Sequence, residues 1–141
     1  MMKQWARSQI MKGLQKMVSE IDFMKTSEEF GLKRGGIWTL GEGTGWVFKE
    51  FIPFRIDFAN DSTLLSDYGY TDPKYKDVKT KAMYPCGIHR EIYSWLEERG
   101  WYPTWYDGDT LFFWKDMHQT SVDVMEKLVS DSGGKIKGWV L

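Results

Sequence analysis

Trp101-Tyr102-Pro103-Thr104-Trp105-Tyr106 and Asp109-Thr110-Leu111-Phe112-Phe113-Trp114 read as two extended arms joined at Asp107-Gly108. An Asp-Gly pair between aromatic and β-branched runs is a strong hairpin signal, because both residues accept the positive φ of a tight turn. Pro103 has no N–H to give to a ladder, which places the first arm at a sheet edge. Alternation along the arms points one set of rings inward and the other outward. An outward set is free to stack on bases, sugars or a partner protein. The alternative is that the rings simply fill the core and cover both faces.

Working outward, Ile88–Arg99 has helical spacing, with Ile88, Ile92, Trp95 and Leu96 inward and Gly100 as its stop. Pro85-Cys86-Gly87 breaks the chain before it. Residues 74–80 read as a strand, and residues 59–73, rich in Asp, Ser, Gly and Pro, as a loop. Ile37–Leu40 and Trp46–Phe48 flank the loop Gly41-Glu42-Gly43-Thr44-Gly45, the pattern of a second hairpin. Its second arm continues through Phe51, Ile52, Phe54, Ile56 and Phe58, with Pro53 as a bend or edge position. The loop glycines lack the Lys-Ser/Thr of a P-loop and do not open a helix, so they are not read as a phosphate cradle.

Thr26-Ser27-Glu28-Glu29 has the form of a capping box and opens a short helical turn, ending at Gly31 or Gly35-Gly36. Residues 5–24 read as an amphipathic helix, with Ile10, Leu14, Met17, Ile21 and Met24 on one stripe and Met11 and Val18 beside it. Core packing is one use of that stripe; a partner or dimer face over residues 1–25 is the other. Downstream, Thr120-Ser121-Val122-Asp123 resembles another cap, followed by a helix with Val122, Met125 and Val129 inward. Lys135–Leu141 reads as a last short strand. The expected architecture is α+β (mixed α/β): a single central sheet flanked by an N-terminal, a middle and a C-terminal helix, forming one domain over 1–141.

Composition sets the class. The chain has 141 residues, 42% of them hydrophobic and 16% aromatic, enough for a real core. Cys86 is the one cysteine, which excludes an internal disulfide framework and fits a reducing, cytoplasmic setting. No apolar run approaches the ~18 residues of a membrane span. Met1-Met2-Lys3-Gln4-Trp5 lacks an apolar h-region, so no signal peptide is expected. The net charge of −1 argues against a dedicated nucleic-acid binder.

The charge is unevenly placed. Asp57, Asp61, Asp67 and Asp72 occupy 57–72 without a base, and Lys74, Lys76, Lys79 and Lys81 follow around Asp77. Carboxylates for a cation and ammonium groups for phosphates are what a metal-dependent phosphodiester site needs. On a strand, Asp77 and Lys79 would share a face while Val78 pointed the other way. Asp57, at the end of Phe54-Arg55-Ile56-Asp57-Phe58, could then reach the same ion.

Over residues 46–106 this order resembles the core of the PD-(D/E)xK nuclease superfamily, which includes restriction endonucleases and Holliday-junction resolvases. The resemblance implies a metal-dependent DNA nuclease, with Asp57 and Asp77 holding Mg²⁺ or Mn²⁺ and Lys79 positioning the attacking water. On the nuclease reading the lysine run supplies DNA contacts from Lys74, Lys76 and Lys81, His89 and Arg90 near a helix start could touch phosphate as well, and a homodimer is expected if both strands are cut. The first motif departs from the family pattern in reading Ile-Asp rather than Pro-Asp, and the second acid is Asp rather than the commoner Glu. Each residue also has a structural use. Asp57 can pair with Arg55 or a lysine, Asp77 with neighbouring lysines, and Lys79 can guard an edge strand.

The remaining motifs are thin. Cys86-x-x-His89 is half of a zinc set and carries no nucleophile signature around it. His118-Gln119-Thr120 lacks the second His-x-Thr that two-histidine phosphoesterases need. The competing reading is a non-catalytic small binding or inhibitor protein, phage or bacterial in type. It would act on a protein partner through the aromatic hairpin or the Met-bearing helix.

Overall fold

The computed structural model describes residues 4–32, 35–60 and 62–116. The expected hairpin is present. β3 (Trp101–Asp107) and β4 (Thr110–Lys115) pair antiparallel, with Tyr102 opposite Trp114 and Trp105 opposite Leu111. β2 (Ile37–Leu40) takes the other edge of β4, Ile37 opposite Phe113, and β1 (Met24–Thr26) lies outside β2. The result is a four-stranded antiparallel sheet in the order β1-β2-β4-β3. β3 is an edge strand, where the missing N–H of Pro103 is tolerated.

The register sorts side chains onto two faces. Ile37, Leu111 and Phe113 turn toward α1 (Arg7–Met17) and α5 (Arg90–Glu98), joining Ile10, Leu14, Ile92 and Leu96 in the main core. Each fully buried aliphatic side chain of this kind contributes roughly 1.5–3 kcal/mol. The middle helix is therefore as expected. α1 is shorter than its stripe suggested: Val18 leaves helical geometry at φ −117°, ψ 83°. Val18 and Ile21 still enter the core, while Met24 belongs to β1.

α2 (Ser27–Phe30) is the expected capped turn. Glu29 accepts from the Thr26 N–H at 2.8 Å and Gly31 closes it at φ +93°. Arg7 donates to Glu28 at 2.8 Å and holds that carboxyl down at about 2, tying α1 to α2.

Residues 46–88 differ from expectation. Ile37–Leu40 does not pair with 46–48. Instead the Gly41 and Glu42 N–H groups donate to the Asp109 and Gly108 carbonyls, drawing the loop to the tip of the β3–β4 hairpin. The long arm through 46–58 is no strand. Phe48 and Phe51 exchange backbone hydrogen bonds of 2.8 and 2.9 Å across Lys49-Glu50, which sit at φ +48° and +73°. A single bridge joins Phe54 to Ile88, and α3 (Asp57–Asn60) follows. The physical reason is spacing: Phe51, Phe54 and Phe58 are all buried and recur at three and four residues, which turns and helices satisfy and alternation does not. Phe51, Phe58 and Leu65 join Met83 of α4 (Thr80–Met83) and Tyr84 in a second, smaller core.

Among the described residues, no helix is long and apolar enough to cross a membrane. The expected C-terminal helix, the last strand and His118 lie outside the described residues.

Candidate functional site

The scaffold expected for the nuclease residues is replaced by turns. Pro73–Tyr75 forms a short 3₁₀ helix, capped by Asp72 through its 3.0 Å bond from the Lys74 N–H. Asp77 follows at φ +62°, a left-handed turn position, and Lys79 immediately precedes α4. The strand over 74–80 is thus corrected to one isolated bridge, Leu64 to Lys79. The two-residue spacing of Asp77 and Lys79 therefore does not give them a shared strand face. Proline at 73 starts the 3₁₀ turn, and Tyr75 and Val78 are half-buried against the second core.

Asp57 opens α3 instead of ending a strand. Its carboxylate lies 3.6 Å from the Arg55 guanidinium. Among the described residues, no ion pair joins Asp57 or Asp77 to Lys79. No group of three or more His, Cys, Asp or Glu there could hold a metal ion. Lys74, Lys76, Lys81 and Arg90 are exposed.

His89 is a correction to the phosphate-contact reading. It is 0% exposed and caps α5, its Nδ1 accepting from the Glu91 N–H at 3.2 Å. The ring is enclosed edge-on by Phe48, Phe51 and Tyr84, and its Nε2 has no hydrogen-bond partner. With Nδ1 accepting, the proton of the neutral ring sits on Nε2. Burial drives the imidazole pKa down to about 4; Glu91 opposes the shift, and Arg90 and Lys49 add to it.

A cleft of about 640 Å³ lies at the turn end of the β3–β4 hairpin. Trp46, Val47, Ile52, Pro53 and Phe54 give it an apolar lining, and Glu42, Arg55, Asp57 and Asp109 supply its charge. Gly87 fixes one wall. Its carbonyl accepts from the Arg55 N–H at 2.8 Å, and a Cβ at this φ +76° position would lie 2.6 Å from the Arg55 carbonyl oxygen. The Arg55 guanidinium packs on Phe58 and Tyr68 and is shared by Glu42 at 3.8 Å and Asp57 at 3.6 Å. Among the described residues no cation pairs with Asp109, so the cleft lining carries three carboxylates and one guanidinium. Asp57 belongs here beside Arg55, the pairing that the sequence offered, but the reading from sequence missed Glu42 and Asp109. Only the acid inside the Gly41–Gly45 loop signalled Glu42.

A second surface is the outer face of the sheet. Trp38, Thr104, Tyr106 and Phe112 alternate away from the main core, and Phe30 of α2 packs edge-on against Trp38, Tyr106 and Phe112. Tyr102 and Tyr106 remain 39% and 61% exposed. The Met-bearing helix offers less, since Met11 and Met17 pack against the main core.

No family model, no curated protein and no solved structure matches this chain.

Proposed function

We propose that this is a non-catalytic binding protein that engages a protein partner through the aromatic outer face of its β3–β4 hairpin. The observation that carries this reading is the exposure of Tyr102 and Tyr106 beside the half-buried rings of Phe30 and Trp38. Rigid aromatic side chains give large contact area for little lost rotamer freedom, and they dominate the energetics of protein interfaces. The near-neutral charge fits this better than a DNA groove. The nuclease reading, with Mg²⁺ or Mn²⁺ on Asp57 and Asp77, draws less support from the geometry, because Asp57 lies 3.6 Å from Arg55 and Asp77 sits on a left-handed turn.

The test is photo-crosslinking in extract of the source cells. Benzoylphenylalanine replaces Tyr106 in one protein and exposed Lys81 in another. A discrete adduct is expected from position 106 alone. Unlabelled wild type competes it away, and the Tyr102→Ser/Tyr106→Ser variant does not. Equal adducts from both positions, or none, refute the reading. A parallel incubation with supercoiled and branched DNA in Mg²⁺ or Mn²⁺ addresses the alternative: cutting that disappears in Asp77→Ala and Lys79→Ala would restore the nuclease.

A further inference from the structure

The cleft at the hairpin tip is separate from the aromatic face, and its chemistry is more selective. Its apolar lining includes Val47, which is 45% exposed, while Trp46 and Phe54 are buried beneath it. An exposed valine next to a concave apolar wall is surface that an incoming apolar side chain would cover. The charge beside that wall is unbalanced. Arg55 is already shared by Glu42 and Asp57, and Asp109 has no cation among the described residues. Another anion would meet surplus negative charge there, whereas a cation would relieve it. The volume of about 640 Å³ admits a few side chains of a peptide but not a folded domain.

We propose that this cleft receives a segment of the partner protein in which an arginine or lysine adjoins an apolar side chain. The apolar group covers Val47 and the neighbouring wall, and the cation lies between Asp109 and the carboxylates that share Arg55. This proposal rests on the protein-binding reading above but uses a different part of the surface. A guanidinium suits the site well, because its planar fork can bond carboxylates on more than one side.

The probe is the acetylated and amidated tripeptide Val-Arg-Leu, followed by amide and indole NMR shifts of the purified full chain at millimolar peptide. Saturable shifts are expected at the Trp46 indole, at Gly43–Gly45 and at Arg55. Val-Glu-Leu should bind about tenfold more weakly or not at all, and Asp109→Asn and Val47→Ser should each weaken Val-Arg-Leu several-fold. Both changes are at exposed positions, so the folded spectrum is expected to persist elsewhere. Absence of shifts, equal binding of the acidic tripeptide, or equal binding of argininamide without its apolar neighbours overturns the proposal. The two readings separate cleanly. A crosslink at position 106 without tripeptide binding refutes the cleft alone, and tripeptide binding without the crosslink refutes the aromatic face alone.

Discussion

Replacing His89 by asparagine will flatten the acid end of the stability profile. His89 is buried and neutral, with its pKa lowered from 6.5 to about 4 chiefly by burial. The unfolded chain takes up a proton near the ordinary value, while the folded chain resists until about 4. The unfolded state thus binds more protons in between. Stability is therefore fully present above the unfolded pKa and is lost as pH falls toward the folded one. A separation of 2.5 units, from 6.5 to about 4, corresponds to roughly 3.4 kcal/mol at about 1.4 kcal/mol per unit. By about pH 4 some 3 kcal/mol of this is gone. Asparagine retains an oxygen to cap the Glu91 N–H but has no proton to take up in this range. It loses the ring contacts with Phe48, Phe51 and Tyr84, so the variant starts less stable. Urea unfolding followed by tryptophan fluorescence, from about pH 7.5 to about pH 4, should bring wild type and His89→Asn closer by about 3 kcal/mol. The Glu28–Arg7 pair also weakens in acid but is present in both proteins and cancels. Parallel profiles would refute the buried, neutral assignment of His89.

Three other outcomes follow from the same geometry. Glu50→Gly should stabilise by about 1 kcal/mol in urea unfolding, because Glu50 occupies a left-handed position at φ +73°. Gly13→Ala should destabilise by about 1–3 kcal/mol despite alanine's better helix propensity, since its Cβ would lie 2.2 Å from the Trp95 ring; a rise in melting temperature would count against the α1–α5 packing. Asp57→Asn should change unfolding free energy by less than about 0.5 kcal/mol, because its partner Arg55 keeps Glu42 and its ring contacts.

The elements that were legible are those in which local pattern and burial agree. The 101–114 hairpin carries its own turn residues, α5 has a helical stripe closed by Gly100, and α2 has a reciprocal cap. The fold class followed from these. The misread region is 46–80. There, three non-glycine residues, Lys49, Glu50 and Asp77, take positive φ, as does Cys86 just beyond it, a choice that residue identity does not advertise. The run Phe51, Ile52, Phe54, Ile56 and Phe58 looked like a strand because every one is apolar, although the three that are buried, Phe51, Phe54 and Phe58, recur at three and four residues. Among the candidate site residues, Asp57 reached a cleft, but its neighbours there come from the 42 loop and the 109 turn. Those contacts are set by the Gly41 and Glu42 backbone bonds, which no local motif encodes.

The β2–β4 pairing joins residues 37–40 to 110–113 at the centre of the sheet. During synthesis, β1 and β2 leave the ribosome long before the strand that completes them. Until β4 emerges, Ile37 lacks its opposite residue Phe113, and the main core lacks Leu111 and Phe113. The main core can therefore be completed only after β4 is made, and its closure is slowed because a long loop must be ordered before its central contacts form. A chain that ends before position 110 lacks Leu111 and Phe113, so the apolar surface of Ile37 and of α1 and α5 that these two side chains complete stays open until β4 is made.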